Sequence, residues 1–516
     1  MLARNRRRFL ADVGRGMLIS SVGAATSLEL GLTTLHASDP SSRVTFGSLE
    51  PLVSLMQEST PAELLPKLVN QLNNGTSLKT LVSAGALANV RAFAGQDYIG
   101  YHTFMALLPA LQMSGQLPQG RQALPVLKVL HRNSRQIQNQ QRNHHDGLAA
   151  VEPSDISDHL DGEQLRAAVR ATDWNSAESQ FAKICQGPAG EAFNHLQFAV
   201  QDEVDVHRVV LSWRSMAMLD VAGQEFADSL LRQSVRYCLD VEQRMKDNNY
   251  KPSAIRELLP KLMTEHRLME IPVGKRKGDD SWLGELSDTI FSGSREQAAE
   301  AVAMAIAEGF AAEDIGEAIS VAANQLVLHD PGRLEKYSSN EKPPGCVHGD
   351  SVGVHASDAA NAWRHISRVG NARNRISSLI VGAFHTAGQL ALTSNSPYPY
   401  GERLEEVSSD DAATLRGQLE DAISSNDQAK ACAIVHRYGD LKLPLNPLLQ
   451  VLLKYAVSED GALHAEKFYQ TTTEEYAAIR PAFRWRQIVA LARVTASEHG
   501  FPAPGYAEAC DLLKLS

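Results

Sequence analysis

A short histidine-bearing segment recurs four times along this chain, as Asp97-Tyr-Ile-Gly-Tyr-His102, Asp202-Glu-Val-Asp-Val-His207, Asp350-Ser-Val-Gly-Val-His355 and Glu459-Asp-Gly-Ala-Leu-His464. Each copy has an acidic residue about five positions ahead of the histidine and an apolar residue or Tyr directly before it. Each also follows two segments with apolar spacing of three and four, the helical period. A repeated unit constrains a fold more than any local propensity does, because neighbouring copies must bury the same faces against one another. The pattern predicts an all-α, internally duplicated helical-repeat protein: two similar halves, each of two helix–helix–His units.

The correspondence extends beyond the histidines. Leu68 to Asn74, closed by Gly75, resembles Val302 to Glu308, closed by Gly309. Leu81 then matches Ile315, and Ala86-Leu-Ala-Asn89 resembles Val321-Ala-Ala-Asn324. The offset widens before His355 through an insertion from about His329 to Val347. Further on, Leu165-Arg166 and Asn175 correspond to Leu415-Arg416 and Asn426. Ile271 to Ser281 is charged and turn-rich, and divides the chain into residues 38–274 and 275–516. No stretch alternates strictly enough to read as a strand.

At 516 residues with a formal net charge of -10, the chain has room for a large core and no basic surface for nucleic acid. Arg6-Arg7-Arg8-Phe9-Leu10 fits the twin-arginine export pattern, and residues 1–37 read as a signal peptide with a weak apolar stretch. The stretch is too short for a permanent membrane span. The expectation is a folded protein delivered by the twin-arginine translocase to the periplasm or beyond. The five cysteines are widely spaced and contain no CxxC, so zinc-ribbon, iron–sulfur and dithiol chemistry lack their ligands. Oligomeric state is not readable.

The densest group of titratable residues is His348-Gly-Asp350-Ser-Val-Gly-Val-His355-Ala-Ser-Asp358. His355 and Asp358 are three apart at a helix start and share a face. Imidazole with carboxylate suits zinc, iron or manganese. We therefore expect metal ligation by His348, Asp350, His355 and His385, with His355, Asp358, His207 and His102 as catalytic candidates. Asp205, two before His207, is placed to orient that imidazole. A second series follows the repeated histidines: His131, Tyr237 and His385 lie 29, 30 and 30 positions on, and Val494 breaks it in the last unit. Gly349 to Gly353 spells GxSxG without the preceding strand that a nucleophile elbow needs. His144-His145-Asp146 sits in a polar loop that reads as solvated.

A helix, a short loop and a histidine at the next helix start, as in Leu81–Arg91 followed by Asp97-Tyr98-Ile-Gly-Tyr101-His102, resembles the alkylhydroperoxidase-D/carboxymuconolactone-decarboxylase helical family. The resemblance implies a similar scaffold, with the family histidine at His102 and His355. The family loop is CxxCxxxH, and both cysteines are missing here. Two functions stand open at this point. One is an exported metal- or cofactor-dependent enzyme, with redox chemistry among its options; the other is a non-catalytic helical scaffold or ligand-binding protein of the envelope. Convergence of the repeated histidines would separate them.

Overall fold

The computed structural model describes residues 43–141, 147–154, 161–272, 274–340, 342–349 and 351–515. Among them the chain is helical, and its extended pairing is confined to isolated bridges such as Arg276 with Phe310. Residues 1–37, where the sequence suggests a signal peptide, and His144, His145, Asp146 and Asp350 lie outside the described residues.

The helices follow one order four times. First come α1 (Glu50–Glu58), α2 (Pro61–Asn73) and α3 (Leu78–Phe93), then α4 (Tyr98–Ser114) with His102 and α5 (Leu124–Gln141). Next are α6 (Gly162–Ala171), α7 (Trp174–Ile184) and α8 (Ala189–Val200), then α9 (Val206–Ala222) with His207, α10 (Ala227–Asp247) and α11 (Ile255–Glu265). The third set is α12 (Asp280–Ser292), α13 (Arg295–Ala307) and α14 (Ala312–Leu328), then α15 (Val352–Val369) with His355 and α16 (Ala372–Ala387). The last is α17 (Ala412–Ser424), α18 (Gln428–Asp440) and α19 (Leu445–Ser458), then α20 (His464–Ala478) with His464, α21 (Trp485–Glu498) and α22 (Tyr506–Leu512). Three helices precede each histidine helix, where the sequence pattern shows two. The extra turns are short and partly polar, so their period is hard to separate from loop.

The four histidine helices pack in a closed cycle: α4 on α9, α9 on α15, α15 on α20 and α20 back on α4. All four begin at the same end of this central bundle, because each carries its histidine in the first turn or so. The remaining helices surround them, and one continuous apolar core joins all four sets. A deep ion pair fastens the first set to the last: Lys128 on α5 lies 2.7 Å from Glu466 on α20, both buried, and its ammonium also donates to the carbonyl of Ala456.

Local chemistry fixes where the central helices start. Asp97 accepts from Gly100 N at 2.6 Å, Asp205 from His207 N at 2.7 Å and Ser351 from Val354 N at 3.3 Å, each satisfying amides that a helix leaves unpaired. Ser351 of the GxSxG match is thus a helix cap, following a turn rather than a strand. At α20 no side chain caps, and the chain enters through Ala462 and Leu463, both at positive φ. The insertion between α14 and α15 folds over the last set. Val347 N donates to Ser497 at 2.7 Å and Gly349 N to Glu498 at 2.8 Å, which sets His348 and Gly349 against the start of α20.

Candidate functional site: four converging histidines

The bundle geometry brings the four repeated histidines together. Ring centroids are 4.8 Å apart for His102–His207, 5.5 Å for His207–His355, 5.1 Å for His355–His464 and 5.2 Å for His464–His102. The imidazoles form a closed cycle of neighbours, called the tetrad below. The Nε2 atoms of His355 and His464 are 3.2 Å apart.

Three of the four rings have a fixed orientation. His102 Nδ1 is 2.5 Å from the carbonyl of Tyr98, and His464 Nδ1 is 3.1 Å from that of Ala462. A carbonyl only accepts, so each Nδ1 carries the hydrogen and each Nε2 presents a lone pair. His207 Nδ1 is 3.3 Å from the Asp205 carboxylate, so that nitrogen also carries a hydrogen. The Nε2 atoms of His102 and His207 are buried and have no hydrogen-bond partner. A buried polar nitrogen without a partner costs about 1–3 kcal/mol, and here two of them converge.

The surroundings reinforce this state. Burial, then the charge of Lys467, pushes His102 and His464 well below the ordinary imidazole range, which keeps both neutral. Burial would raise Asp205. The hydrogen bond and charge of His207, the charge of Arg244 and the Tyr237 hydroxyl outweigh it and hold the carboxyl far below its usual value. The Tyr237 hydroxyl donates to Asp205 Oδ2 at 2.8 Å, completing a Tyr237–Asp205–His207 chain. Tyr101 packs edge-on against Tyr237 at 5.2 Å and Tyr98 lies tilted against His102 at 4.4 Å, so an aromatic wall closes one side.

The structure places the remaining sequence candidates as follows. His348 flanks the tetrad from outside, 6.3 Å from His464 between ring centroids and 3.9 Å from Glu498. Asp358 lies one turn deeper in the bundle and accepts from Thr471 at 2.8 Å; burial raises its pKa. His385 stands apart, accepting at Nδ1 from the Trp363 indole at 3.3 Å, and burial drives it down to about 4. Of the second series only Tyr237 reaches the tetrad. His131 instead packs beside Gly505. His464, given no role beyond its motif by the sequence, is a full member of the tetrad, and Lys467 had no signal at all. A lysine one turn after a histidine could have been noticed, but helical surfaces are full of such pairs.

The five cysteines are free thiols. Burial pushes Cys238 up to about 11 and Cys432 to about 12, so neither is a ready thiolate. Among the described residues, no three His, Cys, Asp or Glu side chains already stand at metal-coordinating spacing, and no helix is long and apolar enough to cross a membrane. Set beside known protein families, curated proteins and solved structures, the chain has no match.

Proposed function

We propose that this protein is a transition-metal oxidoreductase whose ion is held by His102, His207, His355 and His464. The observation that carries the reading is the convergence of four imidazoles in a buried space, with the Nε2 atoms of His102 and His207 left without a hydrogen-bond partner. A Lewis acid satisfies such acceptors together. Imidazoles bound through Nε2 at about 2.0–2.1 Å would put neighbouring centroids roughly 4.6 Å apart in a square and 5.3 Å in a tetrahedron. The observed spacings, 4.8 to 5.5 Å, all exceed the square value and straddle the tetrahedral one, and a sub-ångström contraction with small ring rotations would complete the set. Two nitrogens 3.2 Å apart already have the separation of two ligands on one ion. Four imidazole nitrogens suit copper, iron or zinc, and of these a metal that changes oxidation state would supply redox chemistry.

The chain's own residues supply the rest. Tyr237 and Asp205 hold the His207 tautomer and raise its donor strength, as hydrogen-bonded carboxylates do behind ligating histidines. The carbonyls of Tyr98 and Ala462 do the same work for His102 and His464 with less charge. The absent family cysteines and the thiols described above leave thiol peroxidase chemistry without support, so the remote likeness to the alkylhydroperoxidase-D family extends at most to scaffold. We further propose that the repeated helix order reflects duplication, and that the Arg6-Arg7 segment directs twin-arginine export to the periplasm, a route suited to proteins loaded before transport. The rival reading, a non-catalytic scaffold, would have its four histidines scattered.

Elemental analysis tests the reading. Protein purified from an exporting host should carry a transition metal at about one equivalent; His355→Ala should lose most of it and His385→Ala should keep it. Metal-free wild-type protein that takes up no added copper, iron or manganese would sink the proposal.

A further inference from the structure

Directly inside the tetrad, the axis of the central bundle is polar. α20 places Lys467 one turn after His464, α15 places Asp358 one turn after His355, and α9 places Arg214 two turns after His207. All three are nearly inaccessible, at 2%, 4% and 3% exposure, where apolar residues would ordinarily fill a bundle. Asp358 is satisfied by Thr471, and Arg214 donates to Gln470 at 2.8 Å. Lys467 is different: its ammonium makes no hydrogen bond and no close ion pair with any described residue.

Such a group is expensive. An ammonium has three donors, and burying it without acceptors costs several kcal/mol. Asp358 and Glu466 oppose part of that cost at a distance, and burial still brings Lys467 down to about 8. Helical side chains lean toward the helix N-terminus, so a long side chain one turn inside the tetrad reaches back toward it. The influence of Lys467 on both His102 and His464 agrees with that direction. On one side, then, stand the unpartnered Nε2 atoms of His102 and His207; on the other stands an unpartnered cation. The positive ends of four helix dipoles meet at the same place. A metal ion alone would answer the imidazoles and leave Lys467 with a second positive charge beside it.

We propose that the site takes a small anion of two or three heavy atoms, bound by the metal at one end and by the Lys467 ammonium at the other. The class is that of azide, nitrite or hydroperoxide. The inference rests on the metal reading above. It adds an inward-facing ligand position and a residue that selects charge: a neutral ligand of similar size would gain from the metal but nothing from Lys467 or the helix ends.

Azide is the probe. Copper-loaded wild-type protein, titrated with azide and followed by ligand-to-metal absorption and by electron paramagnetic resonance, should bind it and prefer it to neutral imidazole. Lys467→Met should keep its copper and lose about 10–100-fold in azide affinity, and Lys467→Arg should recover most of that loss. Lys277→Met, at an exposed lysine, should match wild type. Failure to bind copper would overturn the metal reading itself. Copper binding with no azide complex, with imidazole preferred to azide, or with equal azide affinity in Lys467→Met would overturn the anion proposal and leave the metal reading standing. The preference for azide over imidazole is measured on wild-type protein, so it decides the matter even if the Lys467 variants do not fold.

Discussion

His207 and His464 occupy opposite corners of the tetrad and are held by different means. Behind His207 stands a charge: Asp205 caps α9, takes the Nδ1 contact and is itself anchored by Tyr237. Behind His464 there is only backbone. Its Nδ1 meets the Ala462 carbonyl, and its helix starts without a side-chain cap from two residues in the left-handed region. The insertion then presses Gly349 against it so closely that a methyl there would overlap the His464 Cβ. One corner is set by electrostatics and can be tuned by a single side chain. The other is set by packing and can only be displaced. The difference teaches that a repeated motif fixes where an imidazole stands, while its electronic character depends on residues the repeat does not share.

The packing corner should be the easier to break. Gly349→Ala must push the insertion away from α20, and overpacking of that kind costs about 3 kcal/mol at the upper end of its usual range. Urea denaturation should show this loss, together with reduced metal content; a variant as stable as wild type would mean that His464 is not held by packing.

The position 30 residues after each histidine extends the comparison to α10 and α16. Tyr237 serves the tetrad, whereas His385 serves only Trp363. His385 has its folded pKa near 4, below its unfolded value. Between about 6.5 and 4 the unfolded chain therefore binds a proton that the folded chain refuses, and stability falls as pH falls through that window. Above it the effect is absent. The loss attributable to His385 should reach about 2–3 kcal/mol by pH 4. His385→Asn, whose side-chain oxygen can still accept from Trp363, should show a correspondingly flatter stability-against-pH curve, and identical curves would refute the assignment.

At the electrostatic corner the effects are smaller and read on the metal. Asp205→Asn keeps a helix cap but removes the charge, and should weaken metal binding by about 10–100-fold in competition with a chelator. No side chain at the His464 corner offers an equivalent substitution. Tyr237→Phe leaves the carboxylate with one donor fewer, for a stability loss of about 1 kcal/mol and a small shift in the spectrum of the bound metal. If Tyr237→Phe weakened metal binding as much as Asp205→Asn, the carboxylate's charge would not be what sets this corner.

Much of this architecture was legible in advance. The apolar period and the repeated histidine mark the central helices to within a few residues, while the caps Asp97, Asp205 and Ser351 that fix those starts are seen only in the structure. One helix of each set is missing from the sequence pattern, in the first and third sets the opening α1 and α12, since short partly polar helices owe their stability to tertiary contacts rather than propensity. His102, His207 and His355 were marked as candidates by repetition, and Asp205 by its proximity to His207. His348 and His385 were grouped with His355 on sequence nearness and titratable type. The fold sets His348 at the rim and turns His385 toward Trp363, because helix faces and loop paths are not fixed by neighbours in the chain.

The sequence by itself determined the helical class, the starts of the four histidine helices and the recurrence of their histidines. These depend on hydrogen bonds and side-chain spacing within a single turn or segment. Tertiary structure alone decided that α4, α9, α15 and α20 close into one cycle, that four imidazoles more than a hundred residues apart become neighbours, and that Lys467 lies inside them without a partner. Those outcomes come from burying the faces of many helices at once, a collective balance of packing and desolvation that no local window contains.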